Sequence, residues 1–238
     1  MQLKYTLDVK DFTVDTEAFS ARDKDILDLV SRCRKLTRNQ FKDVVQPGDV
    51  IIPYKRQKYA NLSLRDKVVT AINKVLQGSS FTSCKMIGPT GKTVVGFGVI
   101  AGKENITQAN IDKFFSMHEA ALVMRYKGIT AEQQQRVVEN MMTAMKDQIP
   151  YDKVNLVWSV AHHWFGTFNK DVKDQDFNNT QQKTLICSSL VYKCFHDAGL
   201  KIDHDKSVGD KWIWPKEYLT SKSFYCVGGY FSKESGVK

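Results

Sequence analysis

The sequence has no apolar run approaching the ~18 residues that a membrane-spanning helix needs, so no transmembrane segment is expected. Met1 to Asp15 alternates charged and apolar residues and lacks the apolar centre of a signal peptide. The expectation is a chain made and kept in a cytosol, or carried out by a non-signal route such as a phage particle. Cysteines are few and odd in number, five in all, with no C-x-x-C pair. That suits a reducing compartment better than a disulfide framework. A zinc site is also poorly served: Cys194 and His196 stand two apart on a predicted helix and point to different faces. No metal and no cofactor are therefore expected. Basic residues outnumber acidic ones, 35 to 26, yet they form no run with interleaved aromatics, so no specific nucleic-acid groove is expected. Gly91-Lys92-Thr93 is not a phosphate-binding loop. Met86 occupies the place of the required earlier glycine, and a strand follows where a helix is needed. No internal repeat is apparent.

What is present is a sizeable core: 42% of the residues are hydrophobic. The formal charge of +9 favours anionic surroundings such as acidic polymers or lipid head groups. Residues 1–45 read as an N-terminal extension. In it Leu3, Tyr5 and Leu7 alternate as a short strand, and Ile26, Leu27, Leu29 and Val30 mark a helix running toward Leu36. Residues 46–238 read as the main domain. Pro47-Gly48-Asp49 is a turn signal before the β-branched run Val50-Ile51-Ile52. A helix is predicted from Ser63 to Gly78. Phe81–Ile87 and Thr93–Ile100 form a predicted hairpin across Gly88-Pro89-Thr90-Gly91. Ala120–Tyr126 reads as a strand. Thr130 and Gln133 make a capping box for a helix whose stripe is Val137, Val138, Met141, Met142 and Met145. An apolar stretch from Val154 to Phe165 precedes a polar segment, Asn169 to Lys183, that reads as a loop.

The segment after that loop carries the chemistry. Leu190, Val191, Cys194, Phe195 and Ala198 repeat at helical spacing, Thr184 is a suitable N-cap, and Gly199 suits the position just past the end. On that register Cys187 falls in the first turn, where backbone N–H groups and the helix dipole favour a nucleophilic thiolate. A small buried cysteine at a helix start is the alternative reading of the same spacing.

The ordered set Gln46-Pro47-Gly48-Asp49-Val50-Ile51-Ile52, Phe81-Thr82, Leu122-Val123-Met124-Arg125-Tyr126, Tyr151-Asp152, Cys187-Ser188-Ser189-Leu190-Val191 and Ala198-Gly199 resembles the circularly permuted NlpC-like papain family. That group includes bacterial and phage amidase-like hydrolases and is related to lecithin–retinol acyltransferase. Trp214-Pro215-Lys216-Glu217-Tyr218-Leu219 and Ser221 are similar to its closing segment. The resemblance covers about residues 46 to 230 and implies an α+β, permuted papain-like fold. In that fold an antiparallel sheet packs against the nucleophile-bearing helix, and Tyr151-Asp152 shapes the cleft.

The resemblance also implies a histidine on the strand beginning at Phe81. Ser83 occupies that slot, and Val94-Val95-Gly96-Phe97-Gly98 offers no side chain to orient a base. A serine hydroxyl cannot serve as a general base near neutral pH, and a base contributes roughly 100- to 10,000-fold. His118, just before a predicted strand, is the leading substitute among His118, His162, His163, His196 and His204. His196 is more than two helical turns from Cys187 and cannot meet it. Cys84 is read as core, pointing away from Cys187 if Ser83 points toward it. Two functions follow. One is a thiol hydrolase or acyltransferase acting through Cys187 on a cell-wall peptide or lipid acyl group. The other is a degenerate pseudoenzyme that serves as a structural or binding module, such as a phage virion or host-interaction component, with a protein partner.

Overall fold

The computed structural model describes residues 8–9, 12–13, 28–29, 31–54, 83–100, 103–118, 120–151, 185–203 and 213–232. The strand expected around Leu3 to Leu7, the helix over 63–78, the apolar stretch 154–165 and the polar segment 169–183 lie outside the described residues. So do Phe81, Thr82, Asp152, Thr184, His162, His163 and His204.

The architecture is α+β. Strands β1 (Asp8–Val9) and β2 (Phe12–Thr13) pair as a small hairpin. The main sheet has seven strands: β3 (Lys35–Leu36), β4 (Val50–Tyr54), β5 (Lys85–Ile87), β6 (Thr93–Ile100), β7 (Lys103–Asn110), β8 (Ala120–Tyr126) and β9 (Phe224–Phe231). Their order is β3-β9-β8-β4-β5-β6-β7, antiparallel throughout except for the β3–β9 pair. Helices α1 (Arg38–Val44), α2 (Ile111–Met117), α3 (Ala131–Lys146), α4 (Cys187–Asp197) and α5 (Pro215–Thr220) cover it.

Side-chain alternation divides the core. Val50, Ile52, Met86, Val95, Leu122 and Met124 meet α3, α4 and α5 on one face. Ile51, Ile87, Val94, Ala121 and Val123 meet α1 and α2 on the other. A sheet covered on both faces needs continuous apolar runs, and Val50-Ile51-Ile52 and Ala120-Ala121-Leu122-Val123-Met124 are such runs. The expected hairpin, the Ala120 strand and the capping box at Thr130 are all present, and Val137, Val138 and Met141 are buried.

Two expectations for the first 45 residues change. The helical residues near Leu29 end by residue 32, and Leu36 lies in a strand. Residues 35–44 are part of the folded body: β3 pairs with β9, and Phe41 of α1 is completely buried. A reciprocal Thr37–Gln40 capping box starts α1. The strand expected over 81–87 is regular only from Lys85, after half-buried Ser83 and buried Cys84.

Two glycines are required by geometry. Gly48 has φ of +84° in the turn before β4 and donates its N–H to the Ile87 carbonyl at 2.9 Å. At Gly228 the backbone of β3 approaches so closely that a Cβ would stand 2.7 Å from the Arg34 carbonyl oxygen. Gly228→Ala is expected to cost about 1–3 kcal/mol by forcing β3 away from β9. Urea unfolding checks this, and an unchanged midpoint would refute the close approach.

Candidate active site

Helix α4 begins at Cys187, with Ile186 as its N-cap. The cap expected at Thr184 is thus two residues early. Ile186 has no side-chain oxygen, so α4 opens without a side-chain cap. Gly199 follows the helix with φ of +77°, as a residue just past a helix end does. The helix is held from several sides. Asn140 of α3 donates to the Cys194 carbonyl at 3.1 Å, and Leu190, Val191 and Phe195 enter the first core cluster. The Tyr218 hydroxyl of α5 donates to the Ser188 carbonyl at 2.7 Å. Tyr151 bridges Leu185, two residues before the cysteine, and packs edge-on against Phe97 at 4.9 Å between ring centroids.

Cys187 is 9% exposed. Its electrostatic neighbours are Cys84, Lys85 and Tyr218, and Cys84 and Tyr218 in turn feel Glu217. Cys84 is core as expected, 1% exposed, but the orientation expected for the strand before Gly88 changes. Cys84, not Ser83, shares the cluster on the α4 face, because the alternation that aims Met86 at the helices aims Cys84 there too. Burial pushes the Cys84 thiol well above its ordinary pKa, and Cys187 and Glu217 add to the shift. Burial likewise pushes Cys194 up to about 12. Both thiols therefore stay protonated at neutral pH.

Lys85 is the group that sequence reasoning missed. Its Nζ donates to the Phe97 carbonyl at 3.1 Å, and its stem crosses Gly96, where a Cβ would lie 2.9 Å from Lys85 Cγ. Burial pulls its pKa down from the usual lysine range, while Cys187 and Cys84 pull the other way. The available signal was the Lys85–Gly96 combination: a bare glycine on the neighbouring strand leaves room for a long side chain. Glu217, buried in the first turn of α5, accepts from the Trp214 N–H at 3.1 Å.

His118 is not among these neighbours. It terminates α2, its Nδ1 lies 2.9 Å from the Phe114 carbonyl, and its ring stacks on Phe114 at 4.4 Å. Phe114 belongs to the cluster on the sheet face away from α4, so His118 and Cys187 are assigned to opposite faces. His196 stacks on Tyr192 at the far end of α4. Among the described residues, no group of three or more His, Cys, Asp or Glu is arranged to hold a metal ion, and no helix is long and apolar enough to cross a membrane.

The Ser188 hydroxyl is buried with no hydrogen-bond partner among the described residues. Ser188→Ala removes a desolvated hydroxyl and leaves the carbonyl that Tyr218 uses. Stability is expected to hold or rise by up to about 1 kcal/mol. A thermal melt that drops by several degrees would contradict this. Set against known proteins, the chain matches no family model and no curated protein.

Proposed function

We propose that the chain is a thiol hydrolase or acyltransferase of the permuted NlpC-like papain type, with Cys187 as nucleophile. The observation that carries this reading is Cys187 at the first position of a helix without a side-chain cap that packs on a mostly antiparallel sheet. Attack of its sulfur on an amide, ester or thioester carbonyl yields an acyl-enzyme, and N–H groups of the first turn stabilise the oxyanion. Lys85 supplies positive charge within electrostatic reach of the reacting sulfur. The substrate class is a cell-wall peptide or a lipid acyl group, and the +9 formal charge suits anionic surfaces bearing either. A cytosolic or phage-borne setting accords with this substrate range.

A second reading has its own support. Ser83 stands in the histidine slot, and neither described histidine is near Cys187. A module that keeps the fold as a binding surface for a protein partner needs no base.

Iodoacetamide labelling with site mapping by mass spectrometry separates the two. The hydrolase reading expects Cys187 to alkylate at least about tenfold faster than a free cysteine at pH 7, with Cys84 and Cys194 unlabelled. Labelling of Cys187 no faster than free cysteine, together with no turnover of a thioester substrate, leaves the binding-module reading.

A further inference from the structure

Cys33 and Cys226 are far apart in sequence and lie on the side of the molecule where β3 meets β9. The parallel pairing sets Lys35 opposite Gly229 and Leu36 opposite Tyr230, and the Gly229 N–H donates to the Arg34 carbonyl at 2.8 Å. Two residues back along that pairing, Cys33 reaches the level of Val227. Val227 is the extra residue of a bulge: Val123 pairs with Gly228 and Met124 with Cys226. The bulge brings Cys226 alongside Cys33. Both side chains are half-buried at the margin of the first core cluster, and the two thiols lie close enough to couple electrostatically. The Cys226 sulfur also lies 3.7 Å from the Gly228 carbonyl oxygen.

We propose that Cys33 and Cys226 form a peroxide-sensitive dithiol site that closes reversibly to a disulfide and locks edge strand β3 onto β9. The site is independent of the chemistry at Cys187. The two sulfurs are inequivalent. The contact with Cys33 holds Cys226 below the ordinary thiol pKa and pushes Cys33 far above it, so Cys226 is the attacking sulfur. The Cys226 thiolate attacks one oxygen of hydrogen peroxide and breaks the O–O bond. This gives a sulfenic acid and hydroxide, which leaves as water with the proton lost by Cys226. The Cys33 sulfur then attacks the sulfenic sulfur and expels hydroxide, which takes the Cys33 proton and leaves as a second water. The two thiols lose two electrons in total and the peroxide gains them. An external dithiol reverses the bond by exchange. Cys84 and Cys194 are too buried, and their thiols too weakly acidic, to compete.

The test uses the unmodified full chain. Protein treated with stoichiometric hydrogen peroxide is alkylated without reduction, digested and mapped by mass spectrometry. The expected product is a Cys33–Cys226 linked peptide pair about 2 Da lighter than its two reduced peptides, lost on treatment with dithiothreitol. In Cys33→Ser the second step is blocked, and dimedone is expected to trap a sulfenic acid at Cys226. Before oxidation, Cys226 is expected to alkylate at least about fivefold faster than Cys33. A linkage between any other pair of cysteines overturns the proposal. So does oxidation of Cys226 to sulfinic or sulfonic acid in the unmodified chain with no linked pair, or an absence of reaction at both residues.

Discussion

Cys187→Ala is expected to abolish turnover of thioester and activated ester substrates, by about three orders of magnitude or more relative to the unmodified chain. The residue is the first of α4 and is nearly enclosed, and alanine keeps the helix start and removes only the sulfur. The folded state therefore persists, with a stability cost of about 1 kcal/mol for the small void. Tyr218 still reaches the Ser188 carbonyl, and Asn140 still reaches the Cys194 carbonyl, so the helix keeps its position. The measurement pairs a rate assay with a thermal melt. Lys85→Met serves as a companion because it keeps the stem over Gly96 and removes a charge within electrostatic reach of the sulfur. It is expected to slow turnover without abolishing it, since charge stabilisation is one contribution and the nucleophile is the reaction itself. Full turnover by a folded Cys187→Ala protein would end the hydrolase reading.

Asp49→Ala is expected to destabilise the fold by about 3–5 kcal/mol, the cost of stranding a buried charge. Asp49 is 3% exposed and accepts from Arg125 Nε and Nη2, each at 2.8 Å, and from the Gln46 N–H at 2.8 Å. Arg125 also donates to the Val44 carbonyl at 2.7 Å. One carboxylate thus joins the end of α1, the turn at Gly48 and strand β8. Removing it leaves a guanidinium and a backbone N–H without their acceptor. Asp49→Asn keeps an acceptor and loses the charge, so an intermediate loss is expected. Replacing both partners, Asp49→Ala with Arg125→Met, is expected to recover part of the stability because no unpaired charge remains. Urea unfolding of the unmodified chain, these three variants and Arg125→Met alone is the measurement. Additive losses in the double variant would show that the pair is not coupled.

Strong local signals were legible at once. Thr130 with Gln133 specifies a helix start from side chains three residues apart. Gly88-Pro89-Thr90-Gly91 specifies a hairpin from backbone preference. Other elements were written as clearly but in weaker form. Asn110 caps α2 ahead of Ile111, Phe114 and Phe115, a short helical stripe, and Thr37 with Gln40 caps α1 inside what read as an extension. Strand β7 hides because it is an edge strand. Lys103-Glu104-Asn105-Ile106-Thr107-Gln108 presents mostly polar residues, and Ile106 enters the first core cluster. Such an edge gains from polar residues that discourage further pairing.

From residues alone, the chain determined that Cys187 lies in the first turn of a helix, because helical spacing depends on neighbours a turn away. It also determined which strands are buried on both faces, since an unbroken apolar run has no polar side to turn outward. Tertiary structure alone decided what surrounds that cysteine. Whether Ser83 or Cys84 faces α4 turns on strand phase, and a shift of one residue exchanges the two faces. Lys85 within electrostatic reach of the sulfur, His118 on the far face and Cys33 near Cys226 all follow from which strands are neighbours. No local pattern encodes that order, because it is set by packing between segments far apart in the chain.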